Sequence, residues 1–266
     1  MNIFNRAVDA ILSNRARALR KLSVYQEGTP NPNGVCVYPF SQCEPPTSIW
    51  LRGAADVSGG ICSALSSYWI LHHANGGSLW SWLCPSNMTV PHAHRITKLM
   101  NHQAEGQKRN GAAGQDEFEN NFLRKQGLSP ARTWKESRRS PGMQLMINKD
   151  AVMGESGFAS PNGLARAIAE VNQGTGVAGC YKRIGVGSNI GAHAMAAFVT
   201  KDDVTFFDPN FGEFHFEKPK DFLKWFNDVF WQVSLYRRIL SGTWGVAEYH
   251  VRLSSEQMKR LAAIPI

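Results

Sequence analysis

The residue with the clearest potential for chemistry is Cys62, which follows Gly59 and Gly60 and opens an apolar run with helical spacing. A helix N-terminus presents unpaired N–H groups and positive potential, and both favour a thiolate over a thiol. The two glycines leave the approach to the sulfur free of side chains. The segment therefore predicts an activated cysteine nucleophile, while a buried structural cysteine is the alternative interpretation of the same pattern.

A thiol nucleophile needs a base, and His193 together with Asp208 is the best candidate. Residues 191–214 are expected to form two antiparallel strands that turn at Lys201 and Asp202. In such a hairpin His193 and Asp208 project from the same face, opposite or nearly opposite each other. This geometry lets the carboxylate hold one imidazole nitrogen while the other nitrogen faces the thiol.

Three stretches, GGICSALSSYWI, GAHAM and FFDPNFGEF, resemble the YopT/AvrPphB-type cysteine proteases, effectors that bacteria inject into host cells. The resemblance spans about residues 50–240. It implies an α+β, papain-like fold in which the nucleophile lies on a central helix packed against an antiparallel sheet. It also implies hydrolysis of peptide bonds in a host protein through an acyl-enzyme, without cofactor or metal, with Cys62 as nucleophile, His193 as base and then acid, and Asp208 as the orienting group.

The group that would stabilise the oxyanion departs from the papain pattern. Papain-like enzymes often place Gln or Asn five or six residues before the nucleophile, but Val57 and Asp56 occupy those positions here. An ionised carboxylate cannot donate a hydrogen bond. The N–H of Cys62 is the expected first donor, and the second is left to Ser58, a backbone N–H or a side chain from elsewhere in the chain.

The elements that must position these residues follow from periodicity, with helices first and strands second, as is typical of α+β proteins. Helices are expected near residues 2–22, 60–74, 92–104, 115–126, 163–172 and 219–230. Strands are expected at 177–181, 192–200, 204–208, 213–216, 232–240 and 247–253. The remainder of residues 105–157 is expected to be polar and irregular.

Composition divides the chain into three segments and excludes several functions. Residues 1–25 predict an amphipathic helix or export region, 26–47 a Pro/Gly-rich linker or surface loop, and 48–266 the catalytic domain. The helix would either pack on the domain or lie on a membrane surface. The net charge of +8 is scattered and no nucleic-acid-binding module is present, so nucleic acid is not an expected partner. Five cysteines without close Cys/His quartets indicate reduced thiols and no metal site.

Two other functions and a location complete the expectations. The same triad would serve an acyltransferase, transglutaminase or deamidase, and an inert thiol would leave a non-catalytic module that binds host proteins. No run of about 20 apolar residues and no secretory signal occur, so export from a bacterium without a cleaved signal peptide is expected, with action in the host cytoplasm or at a host membrane. Cleavage before Gly34 would expose a glycine near Cys36, a pattern typical of acylated termini. The sequence carries no signal for an oligomeric state.

Overall fold

A computed structural model describes residues 3–24, 31–57, 59–84, 90–109, 111–137, 140–147, 161–171, 179–189 and 191–251. Its centre is an eight-stranded antiparallel sheet. The strands are β1 (Val35–Tyr38), β2 (Leu128–Ser137), β3 (Ser140–Ile147), β4 (Gly179–Ser188), β5 (Gly191–Thr200), β6 (Val204–Asp208), β7 (Gly212–Phe216) and β8 (Thr243–Val251). They lie side by side in the order β1-β7-β6-β5-β4-β8-β2-β3.

Helices cover both faces of this sheet. The longer ones are α1 (Ile3–Leu22), α3 (Cys62–Ala74), α5 (Ala93–Gln107), α6 (Gly111–Lys125) and α7 (Pro161–Ala169). The shorter ones are α2 (Thr47–Arg52), α4 (Leu79–Leu83), α8 (Pro219–Trp225), α9 (Trp231–Val233) and α10 (Tyr236–Ile239), with a 3₁₀ turn at Ala55–Val57 and a π-helical turn at Phe226–Phe230.

Two hydrophobic cores lie on opposite sides of the sheet because successive strand residues point to opposite faces. On β6, Phe206 packs in the core shared with α1, α7 and α8, whereas Phe207 packs in the core shared with α3, α4 and α5. Both side chains are fully buried. The sheet is therefore covered on both sides, and its strands are held at fixed positions relative to the helix that carries Cys62.

Helix α3 begins at Cys62, as the sequence predicts, and most of its residues are buried against the sheet. The N-cap residue, Ile61, offers no side-chain hydrogen bond to the first turn. A neighbouring helix compensates, because Gln103 on α5 accepts a hydrogen bond from the N–H of Ala64 at 3.1 Å. The expected architecture, a cysteine-bearing helix packed on an antiparallel sheet, is confirmed.

The N-terminal helix uses its apolar side for packing within the protein. Leu12, Ala16 and Leu19 are buried in the core beside the sheet. Arg20 also turns inward and donates to the carbonyl oxygens of Phe40 at 2.8 Å and Phe211 at 3.2 Å. Helix α1 therefore anchors the chain on either side of the candidate active site.

Three sequence expectations require correction. Strand β1 lies within residues 26–47, so that segment is not merely a linker or loop. Residues 105–157 contain β2, which pairs antiparallel with β8, and β3, which pairs antiparallel with β2. This backbone pairing overrides their irregular, polar composition. Residues 232–240 form no strand: helical turns occupy them, separated at Leu235 by a left-handed backbone conformation with φ of 68°.

Candidate active site

Cys62 and His193 approach each other from the helix layer and the sheet layer. Gly60 adopts a φ of +109°, which reverses the chain just before α3 and favours glycine. Cys62 as a residue is partly exposed at the helix N-terminus, while His193 on β5 is 6% exposed. His193 adjoins the sulfur closely enough for its charge and its hydrogen-bonding capacity to act on the pKa of the Cys62 thiol. The structure therefore brings two of the three predicted site residues into contact.

Asp208 lies on the other side of the imidazole. Pairing of Ala196 with Phe207 sets the hairpin register, so Asp208 comes level with Met195, two residues from His193 and on the same face. His193 Nε2 lies 3.1 Å from Asp208 Oδ1. Because the carboxylate accepts a hydrogen bond at Nε2, the other ring nitrogen, Nδ1, is left to exchange a proton with the thiol.

The electrostatics of these residues favour a thiolate paired with an imidazolium. Burial alone would raise the pKa of the Cys62 thiol, but the charge and hydrogen bond of His193, with the Ala194 N–H, lower it below its ordinary value. Burial likewise disfavours a charged His193 ring, yet Asp208 and Cys62 outweigh it and raise the pKa of His193 to about 10. Both shifts therefore favour the thiolate, which is the nucleophilic form of the sulfur.

Asp208 is held by a network that sequence reasoning did not identify. Its Oδ1 accepts the N–H of Asn210 at 2.7 Å and the hydroxyl of Tyr236 at 3.2 Å, in addition to His193. Asn210 Nδ2 in turn donates to the Tyr236 hydroxyl at 2.9 Å. The FFDPNFGEF stretch signals the Asn210 turn, but Tyr236 lies in the segment that the sequence assigns to a strand.

The side chain of Gln42 contacts the turn that precedes Cys62. Its Oε1 accepts the N–H of Ile61 at 2.8 Å. Of the residues weighed in the papain positions, Asp56 is exposed and Val57 is a core residue, while Ser58 lies outside the described residues. No signal in the sequence links Gln42 to the site, because it lies twenty positions before Cys62 in a Pro/Gly-rich segment.

The described part of the chain offers neither a clustered metal-binding site nor a membrane-spanning helix. No group of three or more His, Cys, Asp and Glu side chains there is placed to hold a metal ion. No helix among the same residues is long and apolar enough to span a bilayer.

Residues 26–250 match the family model Peptidase_C58, which is described as Yersinia/Haemophilus virulence surface antigen. The chain belongs to this family. Peptidase_C58 membership covers all the residues of the site described above and is consistent with the resemblance seen in the sequence.

Relatives of this Peptidase_C58 protein are themselves cysteine proteases. It is 31% identical to "Cysteine protease yopT1" of Yersinia enterocolitica serotype O:8 over 239 residues, covering 88% of this chain and 67% of that protein. It is 28% identical to "Protein adenylyltransferase and cysteine protease IbpA" of Histophilus somni over 68% of this chain and 4% of that protein. The chain is accordingly a YopT-like cysteine protease.

A solved structure also resembles the chain. The avirulence protein AvrPphB of Pseudomonas is 13% identical, covers 74% of this chain and 95% of its own, and superposes with a TM-score of 0.47.

Proposed function

We propose that this protease hydrolyses peptide bonds in host proteins with Cys62 as nucleophile, His193 as general base and acid, and Asp208 as the group that orients His193. The observation that carries the proposal is the position of His193 between Asp208 and Cys62. Its Nε2 lies 3.1 Å from Asp208 Oδ1, and its charge and hydrogen bond lower the pKa of the Cys62 thiol. A thiolate held in this way is the reactive form of cysteine.

The proposed reaction proceeds in two halves. The Cys62 thiolate attacks the scissile carbonyl carbon, a C–S bond forms, and the carbonyl oxygen becomes an oxyanion facing the N-terminus of α3. The intermediate collapses as the C–N bond breaks, and the imidazolium of His193 gives its proton to the leaving amine. Neutral His193 then takes a proton from water, which attacks the thioester. The C–S bond breaks, the new C-terminal acid leaves, and the thiolate–imidazolium pair is restored.

The setting of this activity is proposed from the family. The family description names virulence, and its members include Yersinia cysteine proteases. We therefore place the enzyme outside the bacterium, exported by type III secretion and acting on a protein in the host cytoplasm. The buried apolar side of α1 favours packing within the protein over contact with a host membrane.

The test compares host-cell extracts treated with the wild type and with Cys62→Ala by N-terminal proteomics. New chain termini should appear with the wild type and be lost with Cys62→Ala, because no other thiol contacts His193 among the described residues. Cys36→Ala is the matched control and should cleave normally, since Cys36 lies on edge strand β1. Equal cleavage by Cys62→Ala would refute the assignment. Mass additions or one-dalton shifts on intact chains, without new termini, would show acyl transfer or deamidation in place of hydrolysis.

A further inference from the structure

Gln42 contacts both halves of the candidate active site. On one side its Oε1 accepts the N–H of Ile61, the residue before Cys62, at 2.8 Å. The same oxygen also lies close to the backbone of Gly60. A Cβ at that position would be 3.1 Å from it. Gln42 is only 5% exposed, so water does not substitute easily for its hydrogen bonds.

On its other side Gln42 binds the turn that follows Asp208. Its Nε2 donates to Asn210 Oδ1 at 2.8 Å, and its backbone N–H donates to the carbonyl of Pro209 at 2.8 Å. Asn210 itself donates its backbone N–H to Asp208 Oδ1. A single buried amide therefore connects the residue before the nucleophile with the carboxylate that orients the imidazole.

We propose that Gln42 is a positioning residue that fixes the Cys62 turn relative to the Asp208–Asn210 turn, and so sets the distance between thiol and imidazole. The inference rests on the proposed function, since it assigns a role around the same triad. The need for such a bridge is physical: Cys62 lies on a helix and His193 and Asp208 on the sheet. Reactive groups must be held to within about 0.5 Å of productive geometry.

The test uses two substitutions that keep the side-chain length. Gln42→Met removes both side-chain hydrogen bonds, whereas Gln42→Glu keeps an acceptor for Ile61 and replaces the donor to Asn210 by a second acceptor. The readout is the rate at which iodoacetamide alkylates Cys62 at pH 7, followed by peptide mapping. This reaction develops no oxyanion, so it reports the state and position of the thiol rather than stabilisation of an intermediate.

Both Gln42 variants should slow alkylation of Cys62 by about tenfold or more, because small displacements of reacting groups cost rates of this order. Gln103→Met and Gln103→Glu are the matched controls. Gln103 is also a buried glutamine that caps α3, but its contact is with Ala64. Their rates should remain within about threefold of the wild type, since the Gln103 bond stays on the α3 side and leaves the contacts of the Asp208–Asn210 turn in place. Thermal unfolding of all four variants verifies the fold, and Gln42→Glu alone suffices if Gln42→Met does not fold.

Three results would overturn the bridge. The first is an equal slowing of Cys62 alkylation in the Gln42 and Gln103 variants, which would show that Gln42 acts only as a cap of α3. The second is a normal rate with Gln42→Glu, which would make the contact with Asn210 dispensable. The third is loss of peptide hydrolysis with unchanged alkylation, which would assign Gln42 to the intermediate instead. His193→Ala separates these from failure of the triad: if it alkylates at the wild-type rate, the proposed function fails and the bridge with it.

Discussion

Cys62 and Cys43 are two thiols near the same carboxylate, and their ionisation is shifted in opposite directions. Burial raises the pKa of Cys43 well above its ordinary value, and the negative charges of Asp9 and Asp208 raise it further. Burial and Asp208 also act to raise the pKa of Cys62, but His193 reverses the outcome and lowers it. Cys43 instead donates to Asn210 Oδ1 at 3.3 Å, and no cationic side chain is among the described groups that shift its pKa. The opposite pKa shifts of the two thiols therefore arise from His193, because burial acts to raise the pKa of both.

Cys36 extends the comparison to a thiol that is partly exposed. Burial raises the pKa of Cys36 to about 11, even though the charge of Arg20 acts to lower it. A guanidinium without a direct hydrogen bond is therefore insufficient to offset desolvation at that position. A lowered pKa of the Cys62 thiol therefore depends on a cation directly beside the sulfur. That cation is His193, so the comparison can be tested by removing His193 and then its partner Asp208.

The largest effect is expected from His193→Ala, which would make Cys62 resemble Cys43. With the imidazolium removed, burial and Asp208 would raise the pKa of the Cys62 thiol above its ordinary value. Alkylation of Cys62 and peptide hydrolysis at pH 7 should both fall, hydrolysis by about 10³-fold. His215→Ala is the control, since His215 is another strand histidine that bonds Thr205 away from the thiol. Unchanged alkylation in His193→Ala would remove the basis of the comparison.

A smaller effect, on pH dependence as well as rate, is expected from Asp208→Asn. The Asp208 charge raises the pKa of His193 to about 10, so its removal lowers that value and the imidazolium is lost at a lower pH. The alkaline limb of the hydrolysis profile should therefore move to lower pH, with a fall in rate of about 10²-fold as the ring loses its orienting partner.

The control for this variant is Asp203→Asn in the loop between β5 and β6, where Asp203 bonds Thr200 and does not contact His193. Its profile should coincide with that of the wild type. An alkaline limb that stays in place in Asp208→Asn, or moves to higher pH, would show that Asp208 does not hold the charge on His193.

The residues with local signals were the ones that the sequence could predict. Cys62 is indicated by Gly59 and Gly60 before it and by the apolar, helical run after it. The shared face of His193 and Asp208 follows from the two-residue period of strands, which a slip of two residues in register preserves. The α+β order of helices and strands follows from periodicity in the same way, because burial imposes the hydrophobic pattern. The packing of the Cys62 helix on the sheet is implied by the family resemblance instead.

The supporting residues could not be predicted because their partners are distant in the chain. Gln42 reaches Asn210 across 168 positions, and its Pro/Gly-rich surroundings are typical of loops. Tyr236 lies in a run whose apolar residues fit a strand, but burial of its ring in the aromatic core beside the sheet favours helical turns there. Strand β2 is defined by its pairing with the distant β8, and β3 by its pairing with β2, which local propensity does not indicate.

The smallest effect is expected from Tyr236→Phe. This variant distinguishes two roles of Tyr236, the hydrogen bond to Asp208 and the packing of its ring in the core. Burial raises the pKa of Tyr236 well above its usual value, so the hydroxyl stays protonated and donates to Asp208 Oδ1. Tyr236→Phe removes this bond and leaves Asn210 Nδ2 without its acceptor, which should cost about 1–2 kcal/mol of unfolding free energy. Hydrolysis should fall by a few-fold, about the worth of one hydrogen bond, while Cys62 stays reactive because His193 remains.

Tyr249→Phe is the control for this prediction, because it removes the same hydroxyl group from another buried tyrosine. Tyr249 is also a fully buried tyrosine, but its hydroxyl bonds Asn120 in the opposite core. Denaturant unfolding should show similar losses of stability in the two variants, and only Tyr236→Phe should lower the rate of hydrolysis. If the two variants hydrolyse peptides equally well, the hydroxyl of Tyr236 stabilises the fold alone, and orientation of His193 depends on Asp208 and the backbone of its turn.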